Sequence, residues 1–198
     1  MKKKKDTFIN MVVSLFVITI ISGFSLGYVN ELTVGPIAKG KIERKVVALK
    51  KVLPAFDNNP VEQVIMLKSE FAKDSVEVYP AFKNGEFVGA AVIGATEKGF
   101  SGLVKIMVGF KPDGTIQNIE VLEQKETPGL GTKMKEESFL AQFRDKNPST
   151  FNVKPTKDQG EVDALTGATI TTRAFGEAVQ MAYDEFMKNN SSIKELKN

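Results

Sequence analysis

The stretch Val76-Glu-Val-Tyr-Pro-Ala-Phe-Lys-Asn-Gly-Glu-Phe-Val-Gly-Ala-Ala-Val-Ile93 decides the fold. Two apolar runs, Val76 to Phe82 and Phe87 to Ile93, flank Asn84-Gly85, a pair that tolerates positive φ at both positions and so marks a two-residue hairpin. The pattern repeats immediately. Leu103 to Phe110 and Ile116 to Leu122 flank Lys111-Pro112-Asp113-Gly114, with Pro and Gly where turn geometry favours them. Two successive hairpins predict four strands in an antiparallel sheet.

On the C-terminal side, the spacing predicts a helix around Lys133 to Arg144, then a polar, Pro-containing segment from Asn147 to Gly160. Phe175, Val179, Ala182 and Phe186 share one face of a final helix, predicted over roughly Thr172 to Lys188, and the tail from Asn189 onward is polar and expected to fray. The solvent-facing positions of these helices include Glu136-Glu137 and Asp184-Glu185, read as solvated faces. The fold class is therefore α+β.

On the N-terminal side, no charge occurs from Thr7 to Asn30, and Phe8 to Val29 is dominated by apolar residues. That is long enough to cross a bilayer, which takes roughly 20 residues of helix. A cleaved signal peptide is the alternative, but its apolar region is usually about 7 to 15 residues and ends at a small-residue site. No Ala-x-Ala follows here, so an uncleaved anchor is expected, with Lys2 to Lys5 cytoplasmic and everything after Asn30 outside. Beyond a Gly35-Pro36 break, Ile42, Val46, Leu49 and Leu53 recur at helical spacing until Pro54, which predicts a separate amphipathic linker helix. The expected organisation is an anchor over 1–30, a linker helix over 31–60, one domain over 61–190 and a polar tail over 191–198.

Composition excludes several chemistries. Of the 198 residues none is Cys or His, which removes the usual ligands of iron–sulfur clusters, haem and zinc, the disulfides, and the His-based catalytic arrangements. Residues 1–30 hold four of the 27 basic and one of the 24 acidic residues, so the remainder carries 23 of each. A neutral domain has no electrostatic footprint for nucleic acid. Gly94 to Gly99 has P-loop spacing, but Phe100 stands where Lys is required, and Gly129-x-Gly131 lacks the third glycine and the βαβ setting of a dinucleotide fold.

Two motifs remain. Asp163-Ala-Leu-Thr166-Gly167-Ala168-Thr169 puts two small residues before a threonine and a helix directly after it, a setting whose free N–H groups favour an anion. Arg173, one turn on, is either a second cation for that anion or a solvated side chain. A plain loop with Thr171 or Thr172 as helix cap explains the same residues. Glu126-Thr127-Pro128-Gly129-Leu130-Gly131, after the fourth strand, reads as a strand-to-helix turn, or as a loop whose bare glycine backbone approaches a planar ring.

Both motifs resemble those of the FMN-binding membrane flavoproteins in the Rnf and Na+-pumping quinone reductase complexes. The resemblance spans nearly the whole chain, and in length the chain is closer to the G subunit of the Rnf branch than to the C subunit of the quinone reductase. It implies an FMN-binding domain with an antiparallel sheet flanked by helices, and one FMN esterified to Thr169 by a flavin transferase, within a motif formed by Asp163, Thr166, Gly167 and Ala168. It also implies that Glu126, Thr127, Gly129, Leu130 and Gly131 line the flavin pocket. The implied function is electron relay, without an independent active site, in a complex coupling ferredoxin:NAD+ electron transfer to Na+ or H+ movement. The implied partners are the other membrane subunits, including a second covalent-FMN subunit, and the implied location is the bacterial inner membrane with the domain periplasmic. Two rival expectations stay open: the C subunit of the quinone reductase, and a non-redox anchored module that binds a ligand in the same pocket.

Overall fold

The computed structural model describes residues 8–68 and 75–195. The expected cytoplasmic cluster Lys2 to Lys5 lies outside them. Helix α1 spans Phe8–Val52, strands β1 to β5 span Ile65–Leu67, Val76–Lys83, Glu86–Gly99, Gly102–Phe110 and Ile116–Gln124, and helices α2 and α3 span Glu137–Leu140 and Thr169–Glu195. The chain divides into two compact units between Glu43 and Arg44.

The strands form one sheet in the order β1-β2-β3-β4-β5, every neighbour antiparallel. Both expected turns are present. Asn84 and Gly85 take φ of 51° and 77°, and the second turn closes through Gly114 N–H to the Lys111 carbonyl at 2.9 Å. Strand β1 is additional to the expected strands: it is three residues long and pairs only as far as Ile65 with Val78. Beyond that point β2 is an edge, which is where Pro80, lacking an N–H, is tolerated. There the Asn58 side chain substitutes for a neighbouring strand, donating to the Pro80 carbonyl at 3.0 Å and accepting from Phe82 N–H at 2.9 Å.

Alternation along the strands sends residues to two cores. Val78, Ala90, Val92, Ile106 and Val108 face α3. Tyr79, Ala81, Ala91, Ile93 and Met107 face Ala48, Leu49 and Val52 at the end of α1. The sheet is thus flanked by helices, as expected, and they cover both of its faces. Phe139, Phe143 and Phe175 meet with ring centroids 5.1 to 5.5 Å apart under α3, and Phe110 stacks on Phe186 at 5.0 Å. Each such ring is worth about 1.5 to 3 kcal/mol on burial. Gly94 lets α3 lie directly on β3: a Cβ there would stand 2.1 Å from the Ala178 carbonyl oxygen.

Four local expectations are corrected. The helix does not break at Gly35-Pro36; α1 is continuous through Pro36. A proline inside a helix costs about 3 kcal/mol through its missing N–H and its clash with the carbonyl four residues back, and the long helical run on both sides of Pro36 outweighs that cost. The helix expected over Lys133 to Arg144 is instead a 3-10 turn at Gly131–Lys135, an extended Glu136 (φ −72°, ψ 142°), the four-residue α2 and further turns. Met134, Phe139, Leu140 and Phe143 all enter one core, and the five-residue step from Met134 to Phe139 places them on different faces of a regular helix. Helix α3 begins three residues earlier than expected and runs to Glu195, because Ile193 is buried in the main core and holds the supposed tail down. Finally, Glu136 and Glu137 are solvated as expected, whereas Glu185 is 1 % exposed.

Candidate functional site

A cleft of 340 Å³ opens at the N-terminal end of α3. Its walls come from four places in the chain: Phe100 at the β3–β4 hairpin tip, the loop after β5, Lys157 in a 3-10 turn at Thr156–Asp158, and Gly167 to Thr171. The volume lies in the range of small-molecule sites, roughly 300 to 1,000 Å³.

The loop after β5 is wound on itself. The Thr127 carbonyl accepts from Leu130 N–H at 3.2 Å, and Gly129 N–H donates to Thr132 Oγ1 at 3.0 Å. Gly129 supplies the positive φ of 75° that the turn needs, and nothing crowds the space where its side chain would be. It is therefore a turn residue, and its neighbours Leu130 and Gly131 form the cleft lining. The close-packed glycine is Gly131, where a Cβ would stand 2.6 Å from Glu126 Oε2 and 2.8 Å from Thr171 Oγ1. Glu126 is buried at 5 % exposure; its carboxylate accepts from Ser101 N–H at 3.1 Å and from the Thr171 hydroxyl at 2.7 Å.

The second motif forms the turn into α3. Gly167 takes φ of 74°, close to Leu130, whose Cδ2 would lie 3.3 Å from a Cβ at that position. Ala168 N–H donates to the Leu165 carbonyl at 2.9 Å, and the Ala168 carbonyl accepts the first helical bond from Thr172 N–H at 3.0 Å. Thr172 is inside the helix and does not cap it: its hydroxyl donates back to the Ala168 carbonyl and accepts from Leu165 N–H, both at 3.1 Å. Thr171 is turned to Glu126. The capping role expected for Thr171 or Thr172 is therefore not filled. The first-turn N–H groups of α3 are left at the cleft, next to the half-buried Thr169.

The structure thus gathers Glu126, Thr127, Leu130, Gly131, Gly167, Ala168 and Thr169 around one cleft. Asp163 and Thr166 are exposed and lie outside its lining; Asp163 N–H is held by Gln142 Oε1 at 2.7 Å. Arg173 is solvated and committed elsewhere: its guanidinium grips Asp158 with two bonds of 2.5 and 2.8 Å, and those bonds hold the Asp158 carboxyl below the usual carboxylate range. The cation at the cleft is Lys157, which sequence reasoning missed along with Phe100, Ile170 and Thr171. Lys157 sits in a polar segment with no periodic signal, but Phe100 was visible as an aromatic residue between the glycines of a hairpin tip. Phe100, Leu130 and Ile170 are 67 %, 43 % and 46 % exposed, so the cleft has an apolar rim together with one lysine.

The FMN-binding domain family model matches residues 99–184, a span that contains every residue of the cleft lining. The G subunit of the Na(+)-translocating ferredoxin:NAD(+) oxidoreductase complex of Acetobacterium woodii is 34% identical, over 85% of this chain and 86% of its own length. The G subunit of the ion-translocating oxidoreductase complex of Aliivibrio fischeri is 33% identical, over 94% of this chain and 93% of its own. Among solved structures, NqrC of Shewanella oneidensis is 25% identical with a TM-score of 0.50, covering 69% of this chain and 70% of that one. The C subunit of the Na(+)-translocating NADH-quinone reductase of Parabacteroides distasonis, 16% identical with a TM-score of 0.51 over 81% of this chain and 94% of its own, shares the fold.

Proposed function

We propose that this chain, which belongs to the G-subunit family of ion-translocating oxidoreductase complexes, carries one FMN through a phosphoester on Thr169 and relays electrons within such a complex. An electron-transfer flavoprotein anchored in the membrane follows from the family, the FMN-binding domain and helix α1, which is long and apolar enough to cross a membrane. The observation that carries the covalent reading is the position of Thr169, a hydroxyl on the first turn of a 27-residue helix, opening on a cleft with an apolar rim and one lysine.

The residues fit the cofactor. The N-terminal N–H groups of α3 and Lys157 favour a phosphate beside Thr169, while Gly167 and Ala168 leave the backbone bare for it. Phe100, Leu130 and Ile170 offer apolar surface for a ring system and exclude water, and the Thr127 hydroxyl is a hydrogen-bonding group at the same wall. Attachment, catalysed by the flavin transferase, breaks the Thr169 Oγ1–H bond and the phosphoanhydride bond of an activated flavin dinucleotide; Oγ1–P forms, the other nucleoside monophosphate leaves, and the proton passes to solvent. Asp163 and Thr166, outside the cleft, are then surface features read by that enzyme. Bound FMN supplies reversible electron uptake and release; the chain supplies position, orientation and electrostatics.

Family membership carries the rest of the proposal. The complex couples ferredoxin:NAD+ electron transfer to Na+ or H+ movement, the domain is extracytoplasmic, and the partners are the other membrane subunits, a second covalent-FMN subunit among them. Expression of the full chain beside a flavin transferase, followed by denaturation, tests the attachment. Flavin fluorescence stays on the wild-type band and is lost from Thr169→Ala, whose fold persists because a partly exposed hydroxyl is a small loss. A dark wild-type band with an active transferase, or fluorescence retained in the variant, refutes it.

A further inference from the structure

We propose that Glu126 is a positioning residue for the flavin acceptor: it fastens the first turn of α3 to the β3–β4 hairpin tip before any flavin arrives, and its charge lowers the electron affinity of the flavin bound there. The proposal rests on the assignment of Thr169 as that acceptor. Glu126 follows β5, yet its two oxygens reach two other elements: Oε1 accepts from Ser101 N–H in the hairpin tip, and Oε2 from the Thr171 hydroxyl two residues beyond Thr169. A carboxylate meets both as donors; a glutamine there keeps both contacts only by turning the Thr171 hydroxyl round to accept from its Nε2–H.

Two glycines from different elements leave the space it occupies. A Cβ at Gly99 or at Gly131 would stand 2.6 Å from one of its oxygens. The Glu126 backbone is itself held, its N–H donating to Gln124 Oε1 at 2.6 Å. A buried carboxylate met by two neutral donors is expensive relative to an apolar side chain of the same size, so its place calls for a return. One return is pre-organisation: Thr169 is presented on a turn already clamped to both cleft walls, which reduces the ordering cost of modification. The other is electrostatic. Glu126 lines the same cleft as Thr169, and a carboxylate in a poorly solvated wall opposes the arrival of an electron on a neighbouring flavin, offset in part by Lys157. No bond or proton of Glu126 changes in this role.

Two variants separate these effects. Thr171→Val removes one anchor and keeps the charge; in the chain made without transferase it speeds exchange of the Thr172 amide, the first hydrogen-bonded N–H of α3, by about threefold to tenfold, and it slows covalent incorporation by a similar factor. Glu126→Gln, whose amide pairs with Ser101 N–H and with the Thr171 hydroxyl, keeps the clamp and loads flavin, and it shifts the bound flavin toward the reduced form by about tenfold, which for a one-electron couple is about 59 mV upward. The proposal is overturned if Thr171→Val leaves both exchange and incorporation unchanged, or if Glu126→Gln loads flavin at an unchanged or lower potential. Should Glu126→Gln fail to fold, Thr171→Val alone decides. A dark wild-type chain instead refutes the acceptor assignment itself, so the two failures are distinguishable.

Discussion

Substituting Gly94 with alanine tests whether the seating of α3 on the sheet controls both the stability of the domain and the presentation of Thr169. The Cβ introduced would lie 2.1 Å from the Ala178 carbonyl oxygen and 2.9 Å from its carbon, against an ordinary contact of 3.4 Å or more. The obstacle is backbone, so no rotamer change relieves it, and α3 must lift by about 1.3 Å. A radial gap of 0.5 to 1 Å forfeits roughly a quarter to a half of each dispersion well. The buried face of α3 holds Ala174, Phe175, Ala178, Val179, Ala182 and Phe186, so the loss falls at the upper end of overpacking costs, about 3 kcal/mol. For a unit of this size that corresponds to a Tm lower by roughly 6 to 12 °C.

Thermal unfolding of the detergent-solubilised full chain measures the shift, with Gly85→Ala as control. Gly85 has open space around it and only its φ of 77° to strain, a cost of roughly 1 to 2 kcal/mol. Because Thr169 rides on α3, covalent flavin incorporation falls in Gly94→Ala and not in Gly85→Ala. A Gly94→Ala chain that unfolds no earlier than the control refutes the close seating of α3.

Further outcomes follow from the cleft and from the end of α1. Lys157→Ala, placed in the Thr169→Ala background so that binding is reversible, weakens free FMN by about threefold to tenfold at low salt and less at high salt; equal affinities across the salt range exclude Lys157 as the phosphate cation. Around Glu77, burial alone pushes the carboxyl up, but hydrogen bonds from Lys45 and Tyr79 and the charges of Lys45 and Lys105 outweigh it and hold it below 4.5. A carboxyl depressed in the native state stabilises above its unfolded value and loses that contribution as pH falls through its native value. The wild-type Tm therefore drops as pH goes below 4.5, and Glu77→Gln drops less steeply; parallel curves for the two chains contradict this.

Legibility varied with the range of the determining interaction. The two hairpins were readable because Asn84-Gly85 and Lys111 to Gly114 act on their own backbone. The turn before α3 was readable for the same reason, although the helix start was misplaced: Thr171 and Thr172, good capping residues in isolation, are drawn into the first turn by Glu126 and Leu165. Strand β1 escaped notice because three residues carry no periodicity, and Glu185 because its burial depends on what packs over α3 rather than on its own helix face. Gly129 and Gly131 look alike in sequence. One is a turn and the other a close contact, since only Gly131 meets Glu126 and Thr171.

From the sequence alone follow the antiparallel hairpins, the apolar helix, the exclusion of Cys and His chemistry, and a threonine at a small-residue turn before a helix, since each depends on neighbours within a few residues. Only the tertiary structure decided which residues share the cleft, that Lys157 rather than Arg173 supplies its cation, that Asp163 and Thr166 stay outside it, and that Glu126 ties Ser101 to Thr171. These depend on α3 closing over the sheet, which brings together groups as far apart in the chain as Phe100 and Thr171, and packing at that range leaves no periodic trace for a local reading to find.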